Sequence, residues 1–253
     1  MHDDILVTSG LSRHFGGVRA VNEVTFSVPK GQLRAIIGPN GAGKTTLFNL
    51  LSGQLHSHSG HIYFKGKEIT GRSPSYLCRH GLGRTFQVNS VFLNFTVLEN
   101  VQLANMAHQG KTWNFWSPAR KVLVEESKAI LEMVGLADQA DKLGSALSHG
   151  DRRRLEIALT LACKPELLLL DEPTCGMSLS EKPHLVKLIQ NIVREKGITA
   201  VLIEHDMDVV FSVADRITVM HRGAILAEGS LREIQANPKV QEVYLGEDYR
   251  APV

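Results

Sequence analysis

The stretch GPNGAGKTT, residues 38–46, carries the sharpest chemical signal in the chain. It fits G-x-x-x-x-G-K-[ST] and lies between the apolar run LRAII and the run TTLFNLL, where a strand should pass into a helix. Its glycines let the backbone curl so that N–H groups face phosphate oxygens, and the helix starting near Gly43 adds its positive end. The phosphate-binding set is therefore Gly38, Asn40, Gly41, Ala42, Gly43, Lys44, Thr45 and Thr46. Lys44 would pair with β- and γ-phosphates, and the Thr45 hydroxyl would ligate Mg²⁺.

Two further runs end in polar residues suited to the same chemistry. LLLLDEP reads as a strand buried on both faces that carries Asp171 and Glu172 to its carboxyl edge, where ligands bind in open α/β sheets. Asp171 would hold Mg²⁺ through water. Glu172 is placed to polarise the water that attacks a γ-phosphate, the general-base role. AVLIEHDM repeats the design and ends in Glu204, His205 and Asp206, with His205 placed to sense that phosphate. A fourth stretch, LSHGDRRRLEIA at 147–158, sets Ser148 and Gly150 before an apolar-periodic helix, a second phosphate-suited feature a hundred residues beyond the first.

These residues need a scaffold. DILVTSGL, NEVTFSV, LRAIIG and GHIYFKG are short alternating or apolar runs punctuated by Gly, Pro and Asn, which predicts a β-rich first half. From about Thr96 to Leu147, TVLENVQLANMAHQ and ARKVLVEESKAILEMVGLADQADKL show i, i+3, i+4 spacing and almost no strand signal, so this is a helical insert. Beyond Asp151, helix and strand alternate through RRLEIALTLA, ELLLLDEP, PHLVKLIQNIVREKG, ITAVLIEH and DRITVM, the pattern of buried parallel strands covered by helices. SLREIQANPKVQEVYLGEDYRAPV closes the chain as a helical tail. GKTWNFWSPAR is the expected long loop; its two tryptophans either anchor it to the helical insert or meet a partner.

Bulk properties exclude several classes. With 253 residues and 43% hydrophobic content the chain fills a proper core. A net charge of +2 does not mark a nucleic-acid binder. Cys78, Cys163 and Cys175 lie far apart in sequence without a CxxC pair, which suggests neither zinc nor a disulfide framework. The acidic start MHDDILVTSG does not read as a signal peptide, and no apolar run approaches the roughly 18 residues of a membrane span, so any membrane role is that of a peripheral subunit.

A phosphate loop, a helical insert, a Ser-x-Gly motif leading a helix, an acidic strand end and a strand-end histidine, in that order, resemble the ATP-binding subunit of an ABC transporter over nearly the whole chain. GRTFQ, RRLEIA, LIEHDM and YLGE are similar to the subunits of branched-chain amino acid importers and their relatives for other small organic solutes. The resemblance implies an α/β P-loop NTPase fold: a RecA-like core with an antiparallel β-subdomain (1–87 and 151–229), an inserted α-helical subdomain (88–150) and a C-terminal helical tail (230–253). It implies that ATP and Mg²⁺ are bound, that Phe15 stacks on adenine, and that Gln87 touches Mg²⁺ and relays its occupancy to the helical subdomain. Lys44, Glu172, His205 and Gln87 form the implied catalytic set, and Thr45, Gln87 and Asp171 the metal set. Ser148 and Gly150 then cap the γ-phosphate of an ATP held by a second ATPase subunit, identical or related, arranged head to tail. The resemblance places the chain as a peripheral subunit at the cytoplasmic face of the inner membrane, where transmembrane permease subunits, and through them a periplasmic or extracellular solute-binding protein, are the other implied partners; nucleic acid is not. Gln87 and the segment 88–95 would signal to a cytoplasmic helix of the permease, with Phe92 and Phe95 either lining that groove or packing in the core.

The chain departs from the family pattern mildly at His149, where related importers often carry a bulkier residue, and more sharply at Asp151 and Ser178. Asp151 stands where the common signature L-S-G-G-Q has glutamine, and a carboxylate there would repel a triphosphate unless Arg152, Arg153 or Arg154 neutralises it. Those arginines are either a solvated helix start or ion-pair partners. Ser178 replaces the usual aspartate or asparagine, which bears on communication between subunits. Cys175 reads as a packing residue or a redox switch. An ATPase for lipopolysaccharide-type export is the nearest rival function. A soluble repair or translation ATPase lacks support, since neither a coiled-coil insertion nor a second cassette is present, and a P-loop kinase leaves Ser148 and His205 unexplained.

Overall fold

The computed structural model describes residues 4–85, 91–109 and 123–243. Strand β1 (Asp4–Phe15) alternates, burying Leu6, Thr8 and Leu11, and pairs antiparallel with β2 (Val18–Pro29) and β4 (Ser59–Phe64). With β5 (Lys67–Glu68) they make a four-stranded sheet in the order β2-β1-β4-β5. The second sheet runs β10-β9-β3-β8-β7-β6, from β3 (Leu33–Ile37), β6 (Leu82–Arg84), β7 (Leu167–Asp171), β8 (Thr199–Ile203), β9 (Arg216–His221) and β10 (Ala224–Gly229). Its pairs are parallel apart from the antiparallel edge strand β10.

Every residue of β3, β7 and β8 is buried, as their largely apolar runs require of strands covered on both faces. Alternate side chains feed two cores. Ala35, Leu168, Leu170, Ala200 and Leu202 join α6 (Lys182–Lys196) and α7 (Met207–Val213) on one face. Ile36, Leu167, Leu169, Val201 and Ile203 join α1 (Lys44–Leu51) and the antiparallel sheet on the other. Arg34 is the polar exception on that face, and its guanidinium meets Glu228 at 2.5 Å.

The helical group consists of α3 (Val97–His108), α4 (Val124–Met133) and α5 (His149–Ala162), which share Val97, Val101, Leu131, Leu136 and Leu155 in one core. The run expected to stay helical through 119–143 stops sooner: α4 ends at Met133, Gly135 turns at φ +71, and only short 3-10 turns follow at Ala137–Gln139 and Gly144–Ala146. The short α2 (Pro74–Arg79), capped by Ser73, and the strands β6 and β10 were not evident in the periodicity. The tail forms α8 (Leu231–Gln235) and α9 (Pro238–Val243). The tryptophan-bearing stretch lies outside the described residues.

One buried side chain fixes the approach to α3. Asn100, 1% exposed, donates from Nδ2 to the carbonyls of Phe92 (3.0 Å) and Thr96 (2.9 Å), and its Oδ1 accepts from the Phe92 N–H (2.8 Å). Removing it leaves buried backbone groups unpaired, so Asn100→Ala is expected to cost about 1–3 kcal/mol in equilibrium urea unfolding. A loss below about 0.5 kcal/mol, the range of ordinary surface changes, would show that water satisfies those groups instead.

Candidate functional site

The register of the parallel strands assembles the site. Ile36 and Asp171 both lie opposite Ile203, so β3, β8 and β7 end at one level. From that edge emerge the 38–46 loop, Glu172, and the pair Glu204 and His205. Three of the stretches read from sequence therefore converge.

In the loop, close packing demands glycine. A Cβ on Gly43, which sits at φ +102, would lie 2.0 Å from the Ala20 carbonyl oxygen, and one on Gly38 would lie 2.2 Å from that of Met220. Lys44 folds back over the loop, its Nζ donating to the carbonyls of Gly38 (2.7 Å) and Pro39 (3.1 Å). Burial draws the ammonium below the usual lysine range, while the charges of Glu172 and Asp171 oppose that fall. The first turn of α1 has no side-chain cap and no acidic residue, which leaves its N–H groups and positive end to an anion. Asn40, Gly41 and Thr45 are exposed beside it, with Thr46 half-buried and Ala42 buried.

At the end of β7, Glu172 takes a left-handed conformation, φ +46, and its N–H donates to the Ile203 carbonyl at 3.0 Å. Such a backbone is uncommon for a residue with a Cβ. It directs the carboxylate to His205, whose Nε2 is 3.0 Å from Glu172 Oε1. The buried Glu204 ties both strand ends together: it accepts from Thr174 N–H (2.9 Å), Thr174 Oγ1 (2.7 Å) and His205 N–H (3.2 Å). Asp206 is spent differently, capping α7 and pairing with Lys182.

Arg84, quoted above only as part of GRTFQ, emerges as a main positioning group. From β6 its guanidinium reaches Asp171 Oδ2 (2.8 Å), Asn49 Oδ1 (2.7 Å) and Ser52 Oγ (2.7 Å). The other oxygen of Asp171, Oδ1, is buried with no hydrogen-bond partner among the described residues. A buried carboxylate oxygen with free lone pairs, next to a loop bearing an exposed threonine hydroxyl, suits Mg²⁺, which takes few protein ligands and leaves its other positions to water and phosphate. No local sequence signal identifies Arg84, because its role depends on pairing β6 with a strand some eighty residues later.

Ser148 lies apart from this edge. It caps α5, its Oγ accepting from Asp151 N–H (3.1 Å) and donating to Asp151 Oδ2 (3.0 Å). Gln139 Nε2 also donates to Asp151 Oδ2 (3.1 Å), and Arg154 approaches Oδ1 at 3.8 Å. Of the other arginines, Arg153 pairs with Glu156 at 2.8 Å. A Cβ on Gly150 would meet Glu181 Oε1 at 2.6 Å, so the Glu181 carboxylate lies against this glycine within the chain. His149 Nε2 lies 3.2 Å from the Cys175 carbonyl, and Cys175 is exposed, which removes its packing role. Ser178 donates from N–H and Oγ to Glu181 Oε2, holding that carboxyl below the usual range. Phe15 is 46% exposed with the Arg13 guanidinium 4.8 Å from its ring centre. Phe92 and Phe95 are 55% and 42% exposed, so neither is a core residue. Gln87 and the start of the 88–95 segment lie outside the described residues.

Comparison with known proteins gives consistent likenesses. A family model described as ABC transporter matches residues 21–175, and one described as branched-chain amino acid ATP-binding cassette transporter matches 224–250. The chain is 40% identical, over 98% of its own length and 100% of the relative, to the high-affinity branched-chain amino acid transport ATP-binding protein BraF of Pseudomonas aeruginosa. It is 38% identical, with the same coverage, to the corresponding protein LivG of Escherichia coli. Among solved structures, an ATP-binding cassette of an ABC transporter in its ADP conformation superposes with a TM-score of 0.86 at 34% identity, covering 96% of this chain and 99% of that one. A nucleotide-free cassette gives 0.85 at 33% identity, covering 96% and 100%.

The Arg84 and Asp171 pair, with side chains 8% and 1% exposed, yields a stability contrast. Arg84→Met strands a buried carboxylate and is expected to cost about 3–5 kcal/mol. Lys65→Met removes an exposed pair with Glu166 and should cost less than about 1 kcal/mol. Equal losses in urea unfolding would contradict the positioning role of Arg84.

Proposed function

Because the chain belongs to the ABC transporter family of ATP-binding subunits, we propose that it hydrolyses ATP to power an importer of branched-chain amino acids or a related small organic solute. The observation that carries the chemistry is the Glu172 carboxylate, held 3.0 Å from His205 Nε2 at the strand edge that also presents Lys44. Phe15 offers an exposed ring for adenine, and the 38–46 backbone with the α1 N-terminus holds the phosphates. Mg²⁺, bound through Thr45, Asp171 and Gln87, would neutralise the phosphate oxygens.

Hydrolysis then needs one water in line with the γ-phosphorus. Glu172 accepts a proton from that water as its oxygen bonds to phosphorus, and the bond to the ADP oxygen breaks. His205 keeps the Glu172 carboxylate oriented and lies where it can hydrogen-bond the γ-phosphate. Lys44 stabilises the charge spreading over the phosphate oxygens.

The site is completed by a second ATPase subunit, head to tail, whose Ser148 and α5 N-terminus meet the γ-phosphate. This reading accounts for the second phosphate feature, since Ser148 bonds only within its own segment among the described residues. The division into 1–87 with 151–229, 88–150 and 230–253 goes with it. So does a peripheral position on the cytoplasmic face of the membrane: no helix among the described residues is long and apolar enough to cross one. A cytoplasmic helix of the permease would seat in a cavity of about 430 Å³ lined by Leu77, Leu82, Phe92, Leu103, Ala104 and Ala107. The match of residues 224–250 to the branched-chain family favours import over lipopolysaccharide-type export.

Asp151 acquires a definite part. Its carboxylate holds the Ser148 hydroxyl proton that a partner's γ-phosphate must take over, so it competes with the sandwich. Asp151→Gln should strengthen ATP-dependent dimerisation roughly tenfold, about the worth of one charge-assisted hydrogen bond, measured by analytical ultracentrifugation. Unchanged dimerisation and ATPase rate would exclude the competition.

Glu172→Gln should lower ATP turnover by roughly 10²–10⁴ while nucleotide binding persists. Substantial residual hydrolysis would move the general base elsewhere. Lys44→Ala should lose ATP affinity in calorimetric titration, and unaltered binding would refute the phosphate-loop assignment.

A further inference from the structure

The hairpin that carries Phe15 is held from one side by a segment with no part in the chemistry above. The His58 N–H donates to the Ser12 carbonyl at 2.8 Å, and the His14 N–H donates to His58 Nδ1 at 3.3 Å. The His14 and His58 rings stack with their centres 3.7 Å apart. Arg13 completes the row, its Nη1 donating to the His56 carbonyl at 3.0 Å. Pairing with β2 shifts register on both sides of Arg13, the kind of irregularity that re-aims a side chain.

The guanidinium so anchored lies 4.8 Å from the centre of the Phe15 ring. Its Nε is buried with no hydrogen-bond partner among the described residues, and no ion pair among them includes Arg13. The charge is therefore left to the ring. Phe15 is still 46% exposed, and its cross-strand partner Val18 is 68% exposed. From Val18, β2 runs on to Ala20, whose carbonyl oxygen would lie 2.0 Å from a Cβ on Gly43. The exposed ring thus stands close to the phosphate loop.

We propose that Arg13 is a positioning residue for the nucleotide, backing one face of the Phe15 ring while adenine stacks on the other. This rests on the reading of Phe15 as the adenine platform. Both faces of an aromatic ring carry negative charge, so a purine laid over the ring is repelled by the same quadrupole that attracts the guanidinium. A cation fixed behind the ring offsets that repulsion. It also holds the ring in place before the base arrives, which lowers the ordering that stacking requires. In this role Arg13 acts on the base and leaves phosphate binding to the 38–46 loop.

The test is calorimetric titration of the full-length chain with ATP and, separately, with tripolyphosphate, which carries the phosphates without a base, both in the presence of Mg²⁺. Arg13→Gln should weaken ATP binding about two- to five-fold, the worth of one exposed cation–π contact, and leave tripolyphosphate binding unchanged. Phe15→Ala should weaken ATP binding roughly five-fold or more, and in that background Arg13→Gln should cost nothing further. Additive losses would mean that Arg13 acts without the ring and would overturn the proposal, as would equal weakening of ATP and tripolyphosphate. Tighter ATP binding by Arg13→Gln would overturn it too, by showing the guanidinium on the face that the base needs. If Arg13→Gln binds ATP as the parent chain does while Phe15→Ala does not, the platform stands and Arg13 has no part in it. If Phe15→Ala itself binds ATP undiminished, the adenine reading fails and this inference falls with it.

Discussion

The parallel register of β3, β8 and β7 is the constraint on which the rest depends. Side chains on a strand alternate faces, so a one-residue slip would exchange the two cores and carry every strand-end residue to the wrong side. With Ile36 and Asp171 both opposite Ile203, the apolar alternation and the positions of Lys44, Asp171, Glu172 and His205 are set by one alignment. Burial on both faces makes that alignment costly to change. The site is thus a consequence of core packing, with polar residues beginning where the apolar runs stop.

Each charge at this edge has a counterpart that does not consume its function. Asp171 gives one oxygen to Arg84, and its other, buried oxygen has no partner among the described residues. Glu172 shares a hydrogen bond with His205, and Lys44 is held by backbone carbonyls of its own loop. A loop built of N–H groups, with no acidic residue at the helix start, suits the triphosphate of the proposed reaction. The signature segment behaves differently. Ser148 is satisfied internally by Asp151, so in this half of the proposed site the hydroxyl has to leave Asp151 before it can meet a nucleotide.

Much of this was legible because it is local. The 38–46 loop is one continuous motif, LLLLDE and AVLIEH are runs whose burial follows from composition, and α3 and α5 follow from their spacing. What escaped was contact made across long separations or by short elements. Arg84 sits in a three-residue strand and acts on Asp171 through a tertiary pairing. Asn100 looks like any polar residue on an amphipathic helix until the 91–96 turn closes over it. The early stop of α4 came from Gly135, whose breaking effect was outweighed by the apolar pattern on either side of it.

The central claim is that a phosphate loop and a Ser148 from different subunits make one working site. It is tested most directly by mixing two inactive variants of the chain, Lys44→Ala and Ser148→Arg, and measuring ATP hydrolysis. In a head-to-tail pair of one of each, the intact loop of the Ser148→Arg chain faces the intact Ser148 of its partner, so activity absent from either variant alone should return on mixing. If both features served the same chain, no combination would contain a complete site. A mixture as inactive as its components would contradict the account.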